Sequence, residues 1–379
     1  MRIGINTLFF IPGKVGGSET YIRNLIAKLS DIDSENEYFI FANRENFNEF
    51  KTGRPNFHKM LCPINASFKP GRILWEQFVL PFQTLKYKID ILFSPGYTAP
   101  IFIGCKQVVT IHDLNYYYHP DDFSSLELLF WRLLVPLSAR AANRVITISK
   151  NSKRDIENIL KVSPDKVDLI YEAANMFPDF GGWGDENIEK VKKKYCIDGK
   201  YILSIAAMHP HKNIHRLIEA YKILKDKYGT SHKLVLVGMK AWASKAVEGA
   251  IKGMSLEKDV IFTGWVPLED IPIFYKGAAV FVFPSLFEGF GIPPLEAMTC
   301  GTPVAVSNIT SLPEVVGDAG KYFNPYDVED IASKVYEVIT STALREELIK
   351  KGFEQAKKFF WEKTAKQTVD VFKAVIYDN

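Results

Sequence analysis

AVFVFPSLFEGFGIPPLEAMTCGTPVAVS, residues 279–307, holds a complete strand, loop, helix and strand in one stretch. Its first five residues are an unbroken apolar run, the mark of a strand buried on both faces of a parallel sheet. Pro284 ends that strand, the glycine-flanked loop Gly289-Phe290-Gly291 follows, and Pro293-Pro294 starts a short helix that Gly301 closes before the next strand, Pro303 to Ser307. Two parallel strands joined by a helix define an α/β protein.

The same alternation extends in both directions. Arg2–Asn6, Tyr38–Ala42, Ile89–Phe93, Gln107–Ile111 and Arg144–Ile148 read as buried strands, and Ile22, Leu25, Ile26 and Leu29 recur at helical spacing between the first two. Over Glu172 to Tyr195, Asn, Pro, Asp and a GGWG cluster interrupt the pattern; a second series then begins, Tyr201–Ala206, Lys233–Val237, Val260–Thr263, Ala279–Phe283 and Pro303–Ser307. At 379 residues the chain suits two domains. The expectation is two Rossmann-like, doubly wound parallel-sheet domains, 1–172 and 196–358, facing a cleft, with 173–195 as linker. Past Asp327 the chain reads as helix in pieces, interrupted at Phe359-Phe360-Trp361 before a last helix to Tyr377.

Composition narrows the function. With 47% hydrophobic and 24% charged residues the chain suits a globular fold, and a formal charge of +3 with scattered Lys and Arg offers no basic stripe for nucleic acid. Cys62, Cys105, Cys196 and Cys300 are far apart and form no CxxC pair, so they read as reduced and structural. The first strand starts at once, without the apolar region of a signal peptide, which predicts a cytoplasmic protein. Leu126 to Leu137 is too short to span a bilayer, carries Glu127 and Arg132, and reads as a packed helix in preference to a membrane-touching surface.

Doubly wound sheets bind ligands at the carboxyl ends of their strands, so chemistry is sought there. After strand one, FFIPGKVGGSET (9–20) leads through Gly13, Gly16 and Gly17 into a helix near Ser18; it is either a phosphate-approaching loop or a tight turn capped by Ser18. His112 follows QVVTI and could polarise a sugar hydroxyl, or be satisfied by a backbone carbonyl. In AAMHPHKNIHRL (206–217), Lys212 stands at a helix start, able to neutralise a diphosphate; His209, His211 and His215 have poor metal-ligand spacing, and no metal is expected.

The opening stretch carries the strongest signal. Amides around Gly289, Phe290 and Gly291 would face a phosphate, and Glu296, in the first helical turn, would either complement the helix dipole or take both hydroxyls of a ribose. The separation of Glu288 from Glu296 proves nothing alone, since Glu37/Glu45 and Glu346/Glu354 share it. Only Glu288/Glu296 brackets a strand-loop-helix turn.

EGFGIPPLEAMTCGTPVAVS (288–307) resembles the E-x7-E signature of glycosyltransferase family 4, retaining enzymes of the GT-B fold. GGSETYIRNLI (16–26), HDL (112–114), HKNIHRLIEAY (211–221), TGWVPLEDIPIFYKGA (263–278) and FFWEKTAKQTVDVF (359–372) are similar to other segments of that family, the last to a C-terminal helix crossing back to the N-terminal domain, here 362–379. The resemblance implies a nucleotide diphosphate sugar donor and no metal or other cofactor. It assigns Glu296 to the ribose, Lys212 to the diphosphate, Glu288 with the amides of Phe290, Gly291 and Ile292 to the donor sugar and phosphates, and His112 to the sugar near the reacting carbon. It further implies transfer of a hexose, mannose favoured, to a glycan or lipid-linked acceptor, with peripheral contact at the inner membrane face left open. Many relatives read PRKN where this chain reads PHKN (210–213), so Lys212 acts alone or with another cation such as Arg216.

Other readings fit less well. A metal-dependent transferase needs a DxD pair at a strand end, whereas Asp31-Ile-Asp33 ends a helix; a dinucleotide enzyme needs GxGxxG, whereas the glycines read GKVGG, with Asn43 and Arg44 after strand two. A non-catalytic nucleotide-sugar-binding or scaffolding subunit on the same fold is the alternative from another class.

Overall fold

A computed structural model describes residues 1–14, 16–175, 177, 184–205, 209–238 and 244–377. The chain divides into two compact units, Met1–Ala173 with Phe360–Asn379, and Ala174–Phe359.

The first unit holds a seven-stranded sheet made of β1 (Arg2–Asn6), β2 (Glu37–Ala42), β3 (Phe57–Leu61), β4 (Ile91–Ser94), β5 (Lys106–Thr110), β6 (Arg144–Thr147) and β7 (Val167–Leu169). Their order is β3-β2-β1-β4-β5-β6-β7, every pair parallel. The second unit holds β8 (Tyr201–Ile205), β9 (Lys233–Val237), β10 (Val260–Gly264), β11 (Val280–Phe283), β12 (Val304–Ser307) and β13 (Gly320–Phe323) in the order β10-β9-β8-β11-β12-β13, also parallel throughout. Central strands such as β4 and β11 are buried along their whole length, as continuous apolar runs require. In each sheet the winding reverses next to the first strand, between β1 and β4 and between β8 and β11. Connections leave those neighbours in opposite directions, and the gap between them is where such folds take ligands.

Three strands lie outside the sequence expectations: β3, β7 and β13, all at sheet edges and all partly polar. The stretch read as linker contains the helix Asp185–Lys194, which belongs to the second unit: Val191 is buried, and Lys194 Nζ and Tyr195 Oη both donate to Asp270 Oδ2 at 2.7 Å. The rest of that stretch is partly outside the described residues, including the first three of the GGWG cluster, as are Ala206, Ala207 and Met208.

The break at Phe359-Phe360 is present, and the helix Trp361–Tyr377 completes the first unit. Trp361 and Phe372 are buried, Phe372 meets Phe93 at 5.3 Å, and Thr364 Oγ1 donates to the carbonyl of Tyr171 at 2.7 Å. The helix Ser125–Ala141 is opened by a reciprocal cap between Ser124 and Glu127. Its second half packs through Leu134 and Val135, but Leu126, Leu129 and Leu133 are exposed, so only half of the expected packed helix is covered.

Candidate functional site

Two loops leave the switch point of the second sheet, and the structure stitches them together. After β8 a short 3-10 turn, Pro210–Lys212, leads to Asn213 in left-handed conformation (φ 59°), then to the helix Ile214–Asp226. Asn213 tolerates that backbone better than most residues, and its side chain is put to use. Its Nδ2 donates to the carbonyls of Pro284 and Pro325 at 3.0 and 2.8 Å, while the amide of Leu286 donates to the carbonyl of His211 at 2.7 Å. The loop after β11 is therefore fixed against the loop after β8. Across this seam Lys212 Nζ pairs with Glu288 Oε1 at 2.6 Å.

The glycine loop is equally constrained. Ser311 Oγ lies 3.0 Å from the carbonyl of Glu288 and 2.7 Å from that of Phe290. Gly291 has φ 114°, which favours glycine, and a Cβ there would stand 2.8 Å from Leu312 Cδ2, which would have to move aside. From Gly291 the helix Ile292–Thr299 starts with no side chain capping it, and prolines occupy its first turn, where no amide donor is needed. Gly301 (φ 71°) follows its end.

Because the helix opens at Ile292, one residue before Pro293, Glu296 stands one residue farther in than the sequence placed it, at the fifth position and past the first turn. It complements no dipole end. The side chain is only 6% exposed, its Oε1 accepts from Asn175 Nδ2 at 2.7 Å and its Oε2 from Tyr275 Oη at 2.9 Å. Burial raises its pKa from the ordinary 4.5 to about 7, against the opposing pull of those two donors. In the loop after β11, the buried hydroxyl of Ser285 has no hydrogen-bond partner among the described residues.

In the first unit the helix after β1 starts at Gly17, with Gly16 (φ 57°) as its cap, which corrects the expected Ser18 cap. No side chain caps this terminus; Glu19 Oε2 instead accepts from the amide of Gly13. Gly16 has open space where a Cβ would project, so its positive φ alone requires glycine. Asp33 of the discounted DxD is the helix's C-cap and accepts from Asn36 and Tyr38, a structural role. Among the described residues no three His, Cys, Asp or Glu form a metal-binding group.

His112 follows β5 and is 4% exposed. Its Nε2 lies 3.0 Å from the carbonyl of Pro95, and its Nδ1 lies 3.1 Å from Glu172 Oε1. A carbonyl can only accept, so Nε2 carries a proton; a carboxylate likewise calls for a proton on Nδ1. Burial lowers the imidazole's pKa, but Glu172, aided by the Pro95 carbonyl, more than offsets it, and the pKa lies above its ordinary value. Tyr21 meets the ring edge-on at 4.8 Å and Tyr97 at 5.2 Å. The histidine is thus buried with both nitrogens engaged, and Glu172 favours its protonated form more than water would.

Several partners were invisible in the sequence: Glu172, Asn175, Tyr275 and Ser311, each far along the chain from the residue it holds. So was a knot at the first switch point. A π-helical turn, Trp75–Val79, turns Glu76 inward, where Asn6 Nδ2 at the end of β1 donates to it at 3.2 Å and reaches Ser94 Oγ on β4 at 3.3 Å.

The comparisons with known proteins follow this division. A model described as Glycosyltransferase Family 4 matches residues 15–175, and one described as glycosyl transferases group 1 matches 186–355. The O-antigen chain mannosyltransferase B of Escherichia coli is 33% identical over 292 residues, 76% of this chain and 75% of that one. The chain belongs to glycosyltransferase family 4. This family 4 glycosyltransferase is also 32% identical over 245 residues, 65% of its length, to the O-antigen chain mannosyltransferase RfbU of Salmonella typhimurium, covering 64% of it. Its fold is GT-B: the Anabaena protein HepE, solved in complex with UDP and glucose, superimposes with a TM-score of 0.76 at 20% identity, covering 99% of this chain and 100% of that one.

Proposed function

We propose that this family 4 glycosyltransferase is a metal-independent, retaining enzyme that moves a hexose, mannose favoured, from a nucleotide diphosphate donor to a glycan or lipid-linked acceptor in surface polysaccharide synthesis. The observation that carries the reading is the Lys212–Glu288 pair, held at 2.6 Å across two loops that leave a switch point. When the bond from the sugar's anomeric carbon to the diphosphate oxygen breaks, negative charge grows on the diphosphate. Lys212 supplies a cation there, and the amide of Ile292 at the helix start after Gly291, the one N–H donor in a first turn otherwise made of Pro293 and Pro294, adds to it. Glu288 holds Lys212 until the donor arrives, then shares it with the phosphates and accepts from the sugar, with Gly289, Phe290 and Ile292 lining the turn.

Glu296 is assigned to the ribose. A carboxylate of raised pKa, already ringed by Asn175 and Tyr275, gains most from two further hydroxyl donors in its charged form. His112 is assigned to the sugar through Nε2–H, which would exchange the Pro95 carbonyl for a sugar oxygen. Gly16 and Gly17, at the open helix start after β1, are assigned to the phosphate side of the donor. The mannose preference rests on the names of the two relatives, and a UDP-bound neighbour supports a nucleotide donor in general. We assign the protein to the cytoplasm, at the inner face of the membrane that carries its acceptor.

Thermal-shift screening against nucleotide sugars, followed by transfer from the best binder, tests this reading. A mannose donor should stabilise the protein most and yield a product of unchanged anomeric configuration by NMR. A protein that binds donors yet neither hydrolyses nor transfers them would be the non-catalytic subunit instead.

A further inference from the structure

Residues 69–86 form one continuous helical stretch, Lys69–Leu74, the π turn Trp75–Val79 and Leu80–Lys86. Arg72 and Glu76, four residues apart on it, share a face, and their side chains are only 13% and 1% exposed. Their charges meet at 3.6 Å, too long for a hydrogen bond, and among the described residues the guanidinium makes no hydrogen bond. Five N–H donors, largely withdrawn from water, are left without an acceptor. Glu76 is little better served. Asn6 Nδ2 donates to it at 3.2 Å and Gln77 Nε2 at 3.4 Å, whereas tight hydrogen bonds to a carboxylate run at about 2.7–2.9 Å. Arg144, in the same unit, shows the contrasting case: it grips Asp168 through two nitrogens, at 2.8 and 2.5 Å. A buried pair as loosely satisfied as Arg72 and Glu76 lowers stability relative to an apolar pair of the same size.

The place of the pair supplies a reason to keep it. Asn6 ends β1, Ser94 ends β4, and Asn6 Nδ2 reaches Ser94 Oγ at 3.3 Å, so the carboxylate stands at the switch point of the first sheet. A π turn puts it there, and such turns are rare and concentrate at functional sites. Doubly wound sheets take ligands at this crevice. A transferase joins two molecules, and the switch point of the second unit, with Lys212 and Glu288, is given above to the donor diphosphate. The switch point of the first unit is left for the acceptor.

The chemistry of the pair indicates which part of an acceptor it takes. A phosphate drawn to the guanidinium would also meet the carboxylate beside it, and like charges repel. A sugar hydroxyl both donates and accepts, so it can give its proton to Glu76 while taking an N–H from Arg72. Neighbouring hydroxyls on one ring match the fixed fork of the guanidinium.

We propose that Arg72 and Glu76 bind the acceptor through neighbouring hydroxyls of an uncharged sugar ring, and so set acceptor specificity. This rests on the transfer reaction proposed above and resolves its acceptor to a sugar ring in preference to a lipid phosphate.

Saturation-transfer NMR tests it without donor turnover, using neutral octyl glycosides of mannose, glucose, galactose and N-acetylglucosamine beside octyl phosphate. The wild type should bind at least one glycoside and ignore octyl phosphate. Arg72→Ala should weaken that binding at least about tenfold, and Arg72→Lys, which keeps the charge and loses the fork, should weaken it less. Because either single change strands a buried charge, Arg72→Met with Glu76→Gln removes both charges together and should melt near the wild-type temperature. This double variant should still lose the glycoside, while calorimetry shows wild-type affinity for a free nucleotide diphosphate. In transfer assays its KM for the glycoside should rise at least about tenfold, with little change in KM for the donor. The proposal is overturned if the wild type binds no glycoside or prefers octyl phosphate, if the double variant binds glycosides as the wild type does, or if nucleotide affinity falls together with glycoside binding. A wild type that binds a glycoside through this pair, yet neither hydrolyses nor transfers any nucleotide sugar, would remove the reaction proposed above and leave the sugar site standing.

Discussion

The two units handle charge in opposite ways. In the second unit Lys212 and Glu288 meet across a seam between loops, each partly exposed and each the other's partner, an arrangement that an incoming anion can reopen. In the first unit His112 is sealed between Glu172 and the Pro95 carbonyl, with tyrosine rings on its flanks. One site keeps its charge available; the other spends both ring nitrogens on Glu172 and the Pro95 backbone. Substitutions at the first should therefore move catalysis more than stability, and at the second stability more than catalysis.

Lys212→Ala is expected to have the largest effect, a fall in turnover of roughly two to three orders of magnitude, as for the loss of one transition-state donor. Nucleotide affinity should fall less, because the leaving charge is greatest in the transition state. Steady-state kinetics beside calorimetry decide it; equal losses would put Lys212 in ground-state binding only.

Glu296→Ala should weaken nucleotide binding by about 1–3 kcal/mol. The pH dependence sharpens this. With a pKa raised from 4.5 to about 7, the native state holds its proton more tightly than the unfolded chain, so the stability this gives is present at low pH and lost as pH rises through about 7. Glu296→Gln should therefore melt higher than wild type at pH 8 and close to it near pH 4.5, while wild-type nucleotide affinity should rise through pH 7 and that of the variant stay flat. A residue that lowers stability in its working form is a sign of a site kept for binding.

Glu172→Gln tests the other region. A raised histidine pKa stabilises the fold fully below the ordinary value of 6.5 and loses that contribution as pH climbs through the native pKa. The variant should lose about 1–2 kcal/mol at pH 6 and less at alkaline pH, and NMR should show His112 titrating at lower pH. A variant of unchanged stability and collapsed turnover would erase the contrast between the two regions. Gly16→Ala should have the smallest effect, about 1 kcal/mol, since it strains a left-handed backbone without meeting any neighbour.

What could be read from the sequence follows from where the physics is local. The inner strands could be read because burial on both faces makes them unbroken apolar runs, and the turn at 289–291 because its glycine and proline chemistry is written in adjacent letters. Edge strands could not: β3, FHKML, carries His58 and Lys59 side by side and buries only Phe57, and β7 is three residues long. The helical stretch 69–86 was hidden by Pro70, Gly71 and Pro81, which look like breakers but sit in first turns or beside a π turn. Glu296 was found but placed one residue too close to the helix start, since only the backbone of Gly291 shows where its helix begins. Its companions Asn175 and Tyr275 lie 121 and 21 residues away, and no periodicity joins contacts made by tertiary packing.

The helix Trp361–Tyr377 belongs to the first unit yet is translated after the whole of the second. On the ribosome the unit encoded later is therefore the first to have all its parts, while the earlier one waits with Phe93 and the backbone around Tyr171 uncovered until Phe372 and Thr364 emerge. Assembly of this enzyme runs against the order of its gene, and a stall near residue 360 would leave an intact second unit tethered to an unfinished first.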